Sequence, residues 1–249
     1  MITLKSEAEL VCMKKACGIT AQALELVGAA VRPGVTTKQL DKIAHGHIIK
    51  CNARPAFLGY KGFPAACCIS VNEEVIHGIP GGRVLKDGDI VSVDTGAVWG
   101  GFYGDAARTF AVGSVSEQDL LLIETAKRCF LEAVKSIAPG ARVGDIGYAV
   151  DSEARRNGFS TVREYTGHGI GRQLHEDPAV ENHGKRGSGI RLKSGMTLAI
   201  EPMINAGGHE VSKLSNGWTI VTADGSRSAH YENTVLITER GYEILTAVT

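Results

Sequence analysis

The sequence predicts an α/β chain of two α-then-β halves related by pseudo-symmetry. Three observations point there. Two pairs of helical segments are each interrupted by Pro-Gly, at Pro33-Gly34 and Pro139-Gly140, 106 residues apart. Leu40 and Ile43 follow the first proline by seven and ten residues, and Ile146 and Ala149 hold the same offsets after the second. Strand-forming stretches follow each helical pair. Two such halves would place a site between them. Pro-Gly after a helix is common in its own right, so chance recurrence is the competing reading.

Ser6-Glu7-Ala8-Glu9 has the capping-box pattern that opens a helix. Leu10, Met13, Cys17, Leu24 and Val27 then mark one apolar face. A second helix runs from Thr36-Thr37 to about Asn52 and turns Leu40, Ile43 and Ala44 inward. Residues 53–66 read as irregular, and residues 68–71 and 75–77 as short strands. A third helix is expected from the pattern Ser114-Val115-Ser116-Glu117, with Ile123, Ala126, Phe130, Ala133 and Ile137 as its stripe. A fourth carries Val143, Ile146 and Val150. Further strands are expected at 196–204, 218–221, 231–238 and 242–246. No linker-like composition separates the halves, so residues 1–249 read as one domain.

Lys plus Arg and Asp plus Glu both number 27 in the 249 residues, so formal charge is zero. That balance points away from direct nucleic-acid reading or a membrane surface as the main partner. No apolar run approaches a membrane span, and the start lacks the apolar core of a signal peptide. None of the six cysteines forms a Cys-x-x-Cys pair. They read as reduced, mostly core-filling thiols of a cytoplasmic protein.

The most informative stretch is residues 89–105, which reads as a tight hairpin turning at Trp99-Gly100-Gly101. A turn centred on Trp99 and Gly100 opposes residues whose numbers sum to 199, which sets Asp94 directly against Asp105. Like charges opposed across a ladder destabilise it, unless a cation between them reverses the sign. A bulge that moves one Asp away, or solvation of both, is the bland alternative.

Other stretches put polar groups where structure alone does not want them. His168 stands between glycines in Thr166-Gly167-His168-Gly169, which lets the backbone approach something closely. A lone His is more often structural than a ligand. Glu201 and Glu232 each sit inside an apolar strand, where an unpartnered charge is very costly. For either Glu alone a salt bridge is the commoner explanation. Together, Asp94, Asp105, Glu201 and Glu232 carry four negative charges with few basic residues nearby. Two divalent cations would neutralise them, and His168 adds an imidazole. Such a set suits Mn²⁺, Fe²⁺, Co²⁺ or Zn²⁺ without choosing among them. Paired metals can lower the pKa of a shared water and stabilise a tetrahedral intermediate.

In order and spacing, His77-Gly-Ile-Pro, Asp94-Thr-Gly, Gly104-Asp105, Thr166-Gly-His168-Gly-Ile-Gly, His175-Glu-Asp-Pro, Glu201-Pro-Met and Glu232-Asn-Thr resemble the type I methionine aminopeptidases. The resemblance runs from about residue 3 to the end. It implies the pita-bread fold, with two pseudo-symmetric α/β halves, a curved antiparallel sheet and helices on its outer face. It implies a metalloaminopeptidase that removes the initiator methionine from nascent chains when the second residue is small, by means of a metal-bridging water at a dinuclear centre. Asp94, Asp105, His168, Glu201 and Glu232 would be metal ligands, with Asp105 and Glu232 bridging. His77 and His175 would contact the substrate, and Glu201 would also take a proton from the water. Tyr60, Phe63, Cys68 and Trp218 would form the methionine pocket. Asn72, Glu74 and Ser228 would hold a monovalent cation. A cytoplasmic monomer working near the ribosome is implied as well.

Three positions depart from the family pattern. Phe57 stands where many members have Cys, Leu174 where many have Phe, and Asn233 where His usually follows the glutamate. Two other readings compete. One is a prolidase-type relative, which usually carries an additional N-terminal domain. The other is a non-catalytic relative that binds peptides, a kind that typically loses metal ligands.

Overall fold

The computed structural model describes residues 2–247, so the outermost ends of the expected 1–249 domain lie outside the described residues. Helix α1 spans Glu7–Ala30, α2 Thr37–Lys50, α3 Glu117–Lys135 and α4 Val143–Arg156. The capping boxes at Ser6 and Thr36 start α1 and α2. The start of α3 differs from expectation. Ser116 caps it, with Asp119 closing the box, so helix begins two residues after the Ser114 pattern.

Among the described residues, nine strands form the main sheet, and every pairing is antiparallel. Its central run is Ile90–Trp99, Phe102–Ala111, Glu232–Thr238, Thr197–Ile200, Gly167–Gly169 and Glu176–Val180. The strands from the two halves meet where Glu232 pairs with Ala107 and Asn233 with Ala106. The expected strand over 196–204 is two strands, Thr197–Ile200 and Met203–Asn205. Pro202 lies in the gap, where it has no N–H to give a ladder. The strand expected at 218–221 is Ile220–Thr222, and the one expected at 242–246 is Gly241–Ile244.

The internal repeat is visible in hydrogen bonds. Leu85 N donates to Val35 O at 2.8 Å, and Leu192 N donates to Ala141 O at 2.9 Å. The bridges Thr36–Val84 and Arg142–Arg191 complete the correspondence. Each half thus ties its loop after Pro-Gly to the segment leading into a sheet strand.

Strand alternation decides which face carries chemistry. Val91, Val93, Ala97 and Ala106 pack with Ile19, Leu24, Leu40 and Ile48 of α1 and α2. A matching core in the second half joins Leu122, Phe130, Ile146 and Val150 of α3 and α4 to Leu198, Ile200 and Val235. Asp94 and Asp105 alternate to the opposite face of the hairpin. A third apolar cluster, including Cys17, Phe57, Phe63, Cys68 and Leu174, lies between the halves. The helices cover one face of the sheet and leave the other to the site.

Candidate metal and substrate site

The hairpin turns at Gly100 and Gly101, whose φ values of 58° and 81° are both left-handed. Such a turn is natural for glycine and matches the twist of a two-residue hairpin. It shifts the register from the expected one. Asp94 opposes Ala107, and Asp105 opposes Gly96. The two aspartates are therefore diagonal neighbours on one face, close enough that each carboxyl shifts the titration of the other.

The other groups arrive from the second half. Glu232 opens its strand beside Ala107. Two positions on, the Thr234 hydroxyl accepts from Asp105 N at 3.0 Å and donates to Asp105 O at 2.9 Å. This side chain replaces the backbone ladder where the two strands part. Glu201 follows the Thr197–Ile200 strand at the proline break. His168 pairs with Ala199. A Cβ on Gly167 would lie 2.4 Å from Ala199 O, and one on Gly169 would lie 2.1 Å from Asp177 O. What approaches these glycines is neighbouring sheet backbone, which sets the depth of His168.

His168 Nδ1 donates to Gly169 O at 2.9 Å, leaving Nε2 with a free lone pair toward the site. That Nε2 is 3.5 Å from Glu201 Oε1. Asp105, His168 and Glu232 each offer an atom within 4.8 Å of the others. Buried atoms Asp94 Oδ1, Asp105 Oδ1 and Glu232 Oε1 have no hydrogen-bond partner. Unpartnered buried carboxyl oxygens are costly, and a divalent cation supplies what they lack. Oxygen donors with one imidazole also fit such an ion. The residues therefore fit a metal.

Burial governs the titration here. It pushes Asp94 up to about 7 and holds Asp105, Glu201 and Glu232 well above the usual carboxylate range, with neighbouring carboxylates adding to the last three. It pushes His168 and His230 down to about 3, and His77 to about 4. Between about pH 4 and 6.5 these raised carboxyls and lowered histidines pull stability in opposite directions. Above about pH 7 the raised carboxyls still bind more protons folded than unfolded, and toward pH 9 the buried thiols Cys17, Cys67, Cys68 and Cys129, all held protonated by burial, act in the same direction. The metal-free protein should therefore lose stability from pH 7 to pH 9, at about 1.4 kcal/mol per pH unit for each proton still held. Urea midpoints at the two pH values check this. Added Mn²⁺, which binds the ionised forms, should shrink or invert the difference, whereas stability that rises with pH in the metal-free protein would contradict the site's electrostatics.

A cavity of about 170 Å³ joins this cluster to the expected pocket. Tyr60, Phe63, Cys68 and Trp218 line it with all five expected ligands, His77 and His175. Phe57 and Leu174 also face it. Phe63 meets Trp218 edge-on, with ring centroids 5.1 Å apart. Burial keeps the Cys68 thiol protonated, so it presents an apolar wall. Tyr60 Oη and His175 Nδ1 are 2.8 Å apart. His77 has φ +58° and stands edge-on to Tyr165 and Trp218. Asn72 and Ser228 meet elsewhere, with Ser228 N donating to Asn72 O at 2.9 Å. Glu74 lies two residues after Asn72, with its carboxylate on Arg83 and Val71 N.

Sequence reasoning missed two residues beside the cluster. Arg108 makes no hydrogen bond to the carboxylates, although its charge favours ionised Glu232. It donates to Glu232 O and, at 2.8 Å, to Asn233 Oδ1, and it stacks over Tyr231. Asn233 also accepts from Thr246 Oγ1, so it fastens the strand from behind. The second is His230, whose buried Nε2 has no partner. Its position in Ser228–His230, flanked by ordinary strand residues, gives no spacing signal.

The profile of metallopeptidase family M24 matches residues 11–239. The chain is 51% identical over 248 residues to a methionine aminopeptidase of Clostridium perfringens, covering 100% of both chains. It superposes on the crystal structure of a methionine aminopeptidase from Thermotoga maritima with a TM-score of 0.98 and 46% identity, again covering 100% of each. A prolidase from Pyrococcus furiosus shares the fold alone, at 23% identity and a TM-score of 0.81, and this chain covers 66% of it.

Proposed function

The chain belongs to metallopeptidase family M24, and from that premise we propose that it is a methionine aminopeptidase. It releases the N-terminal methionine of peptides and nascent proteins whose second residue is small. The observation that carries this reading is the convergence of two buried carboxyls, Asp105 and Glu232, two half-buried ones, Asp94 and Glu201, and His168 at the end of a cavity walled by Tyr60, Phe63, Cys68 and Trp218. Full-length similarity to methionine aminopeptidases supports the substrate class.

In this proposal Asp94, Asp105, His168, Glu201 and Glu232 hold two divalent cations, drawn from Co²⁺, Mn²⁺, Fe²⁺ and Zn²⁺. When bound, such cations lower the pKa of water and offset the negative charge that builds on a scissile carbonyl. The chain's own residues do the rest. The aromatic and thiol walls take the methionine side chain and exclude water from it. His77 and His175 grip the peptide at the cavity rim and donate toward the carbonyl oxygen as it gains charge. Tyr60 fixes the His175 ring through its 2.8 Å hydrogen bond. Glu201 accepts the proton of the attacking water and returns it to the leaving amine. A monovalent cation near Asn72, Glu74 and Ser228 supports the loop structurally.

Residues 1–249 act as one catalytic domain, because the two halves contribute to one site. Family resemblance extends the proposal to a cytoplasmic monomer that meets nascent chains near the ribosome. No helix among the described residues is long and apolar enough to cross a membrane.

The peptide series Met-Ala-Ser, Met-Leu-Ser and Ala-Pro tests the reading. Methionine should be released rapidly from the first and at least about tenfold more slowly from the second, because a bulky second residue must fit at the rim beside His77 and His175. Ala-Pro should be untouched. Cleavage of Ala-Pro with Met-Ala-Ser intact would instead identify a prolidase-type activity.

A further inference from the structure

His230 ends the Ser228–His230 strand opposite Met203 and is 2% exposed. Its backbone is pinned: its N–H donates to Thr109 Oγ1 at 2.8 Å, and that hydroxyl donates back to His230 O at 3.0 Å. The ring is thereby delivered to the carboxyl cluster. Its Nε2 lies 3.8 Å from Glu201 Oε2 and 3.9 Å from Glu232 Oε2, and hydrogen-bonds neither. A buried polar nitrogen left in that state is destabilising. Once the two carboxyls are ionised both of these oxygens are acceptors only, and the hydrogen then belongs on Nε2. The remaining oxygen of Glu201, Oε1, faces His168 Nε2 at 3.5 Å. Glu201 therefore sits between two imidazoles, one toward each oxygen.

We infer that His230 is a positioning residue of the cation site, whose Nε2–H holds the outer oxygens of Glu201 and Glu232 and aims their other oxygens at the metal. This rests on the metallopeptidase reading above. A carboxylate rotation that moves an oxygen by about 1 Å brings either contact to hydrogen-bond length. The N–H dipole also offsets the repulsion between the two carboxylates once both are ionised. Arg108 cannot do this, because its guanidinium is engaged by Glu232 O and Asn233 on the other side of the strand.

The test is calorimetric titration of Mn²⁺ into the metal-free protein, comparing wild type with His230→Leu, His230→Gln and Asp105→Ala. Leu fills similar space without a donor, whereas the Gln amide can donate to the same oxygens. His230→Leu should weaken Mn²⁺ binding about 10–100-fold, and His230→Gln should bind like wild type. A merely space-filling histidine would give the reverse order, with Leu the better replacement. Wild-type affinity in His230→Leu, with affinity lost in Asp105→Ala, would overturn this inference and leave the cation site standing. Undiminished affinity in Asp105→Ala would overturn both.

Discussion

Glu232→Gln should abolish methionine release while leaving the metal-free protein at least as stable at pH 8 as the parent. Glu232 Oε1 is buried without a partner, and Asp105, Glu201 and Asp94 all push against its ionisation. Removing the charge relieves that repulsion and keeps the side-chain volume. The same change strips a carboxylate from the set that would hold two cations. The expected loss in turnover at saturating Mn²⁺ is on the order of 10³-fold, about 4 kcal/mol of barrier. Initial rates and urea midpoints, measured on one preparation, separate the two effects. A site that binds for function at the expense of stability should show this opposition. A variant that is destabilised yet active would mean that Glu232 is structural.

His77→Gly should remove most activity at little thermodynamic cost. His77 is held at φ +58°, a conformation costing a non-glycine residue about 1–2 kcal/mol. Glycine removes that penalty but adds chain entropy, and it forfeits the edge-on contacts to Tyr165 and Trp218. These effects nearly cancel, so stability should stay within about 1 kcal/mol. Turnover of Met-Ala-Ser should fall on the order of 10²-fold, the size expected when a positioned catalytic imidazole is lost. Mn²⁺ affinity should not change, because His77 is outside the carboxyl cluster. Strain retained at a cavity rim is the observation behind this prediction. Equal losses in metal affinity and turnover would place His77 among the ligands instead.

The helices were legible because their signals are local. The boxes at Ser6 and Thr36, and the apolar stripes of α1 and α4, each need only a few residues of context. Where two serines competed, at 114 and 116, pattern alone chose the wrong one, and Asp119 decided the cap in the fold. The hairpin was legible as a hairpin, but its register was not. Two left-handed glycines moved the turn by one residue and each aspartate's partner by two. Same-face placement survived because a shift of two preserves strand parity. The strands Gly167–Gly169 and Glu176–Val180 escaped notice because glycine and proline lower the apparent strand signal. His230 and Arg108 were invisible for another reason. Their importance lies in what they face across the sheet, and a single sequence does not encode those distances in its spacing.

The most direct measurement is methionine release from Met-Ala-Ser by metal-stripped protein, titrated anaerobically with Mn²⁺, Fe²⁺ or Co²⁺. The predicted result is no release without metal, activity that rises and saturates as cation is added, and activity on the order of 10³-fold lower in Glu232→Gln at saturating metal. Full activity in stripped protein, or none with any of the three cations in a protein shown to be folded, would contradict the claim that the buried carboxyls and His168 form a catalytic metal centre.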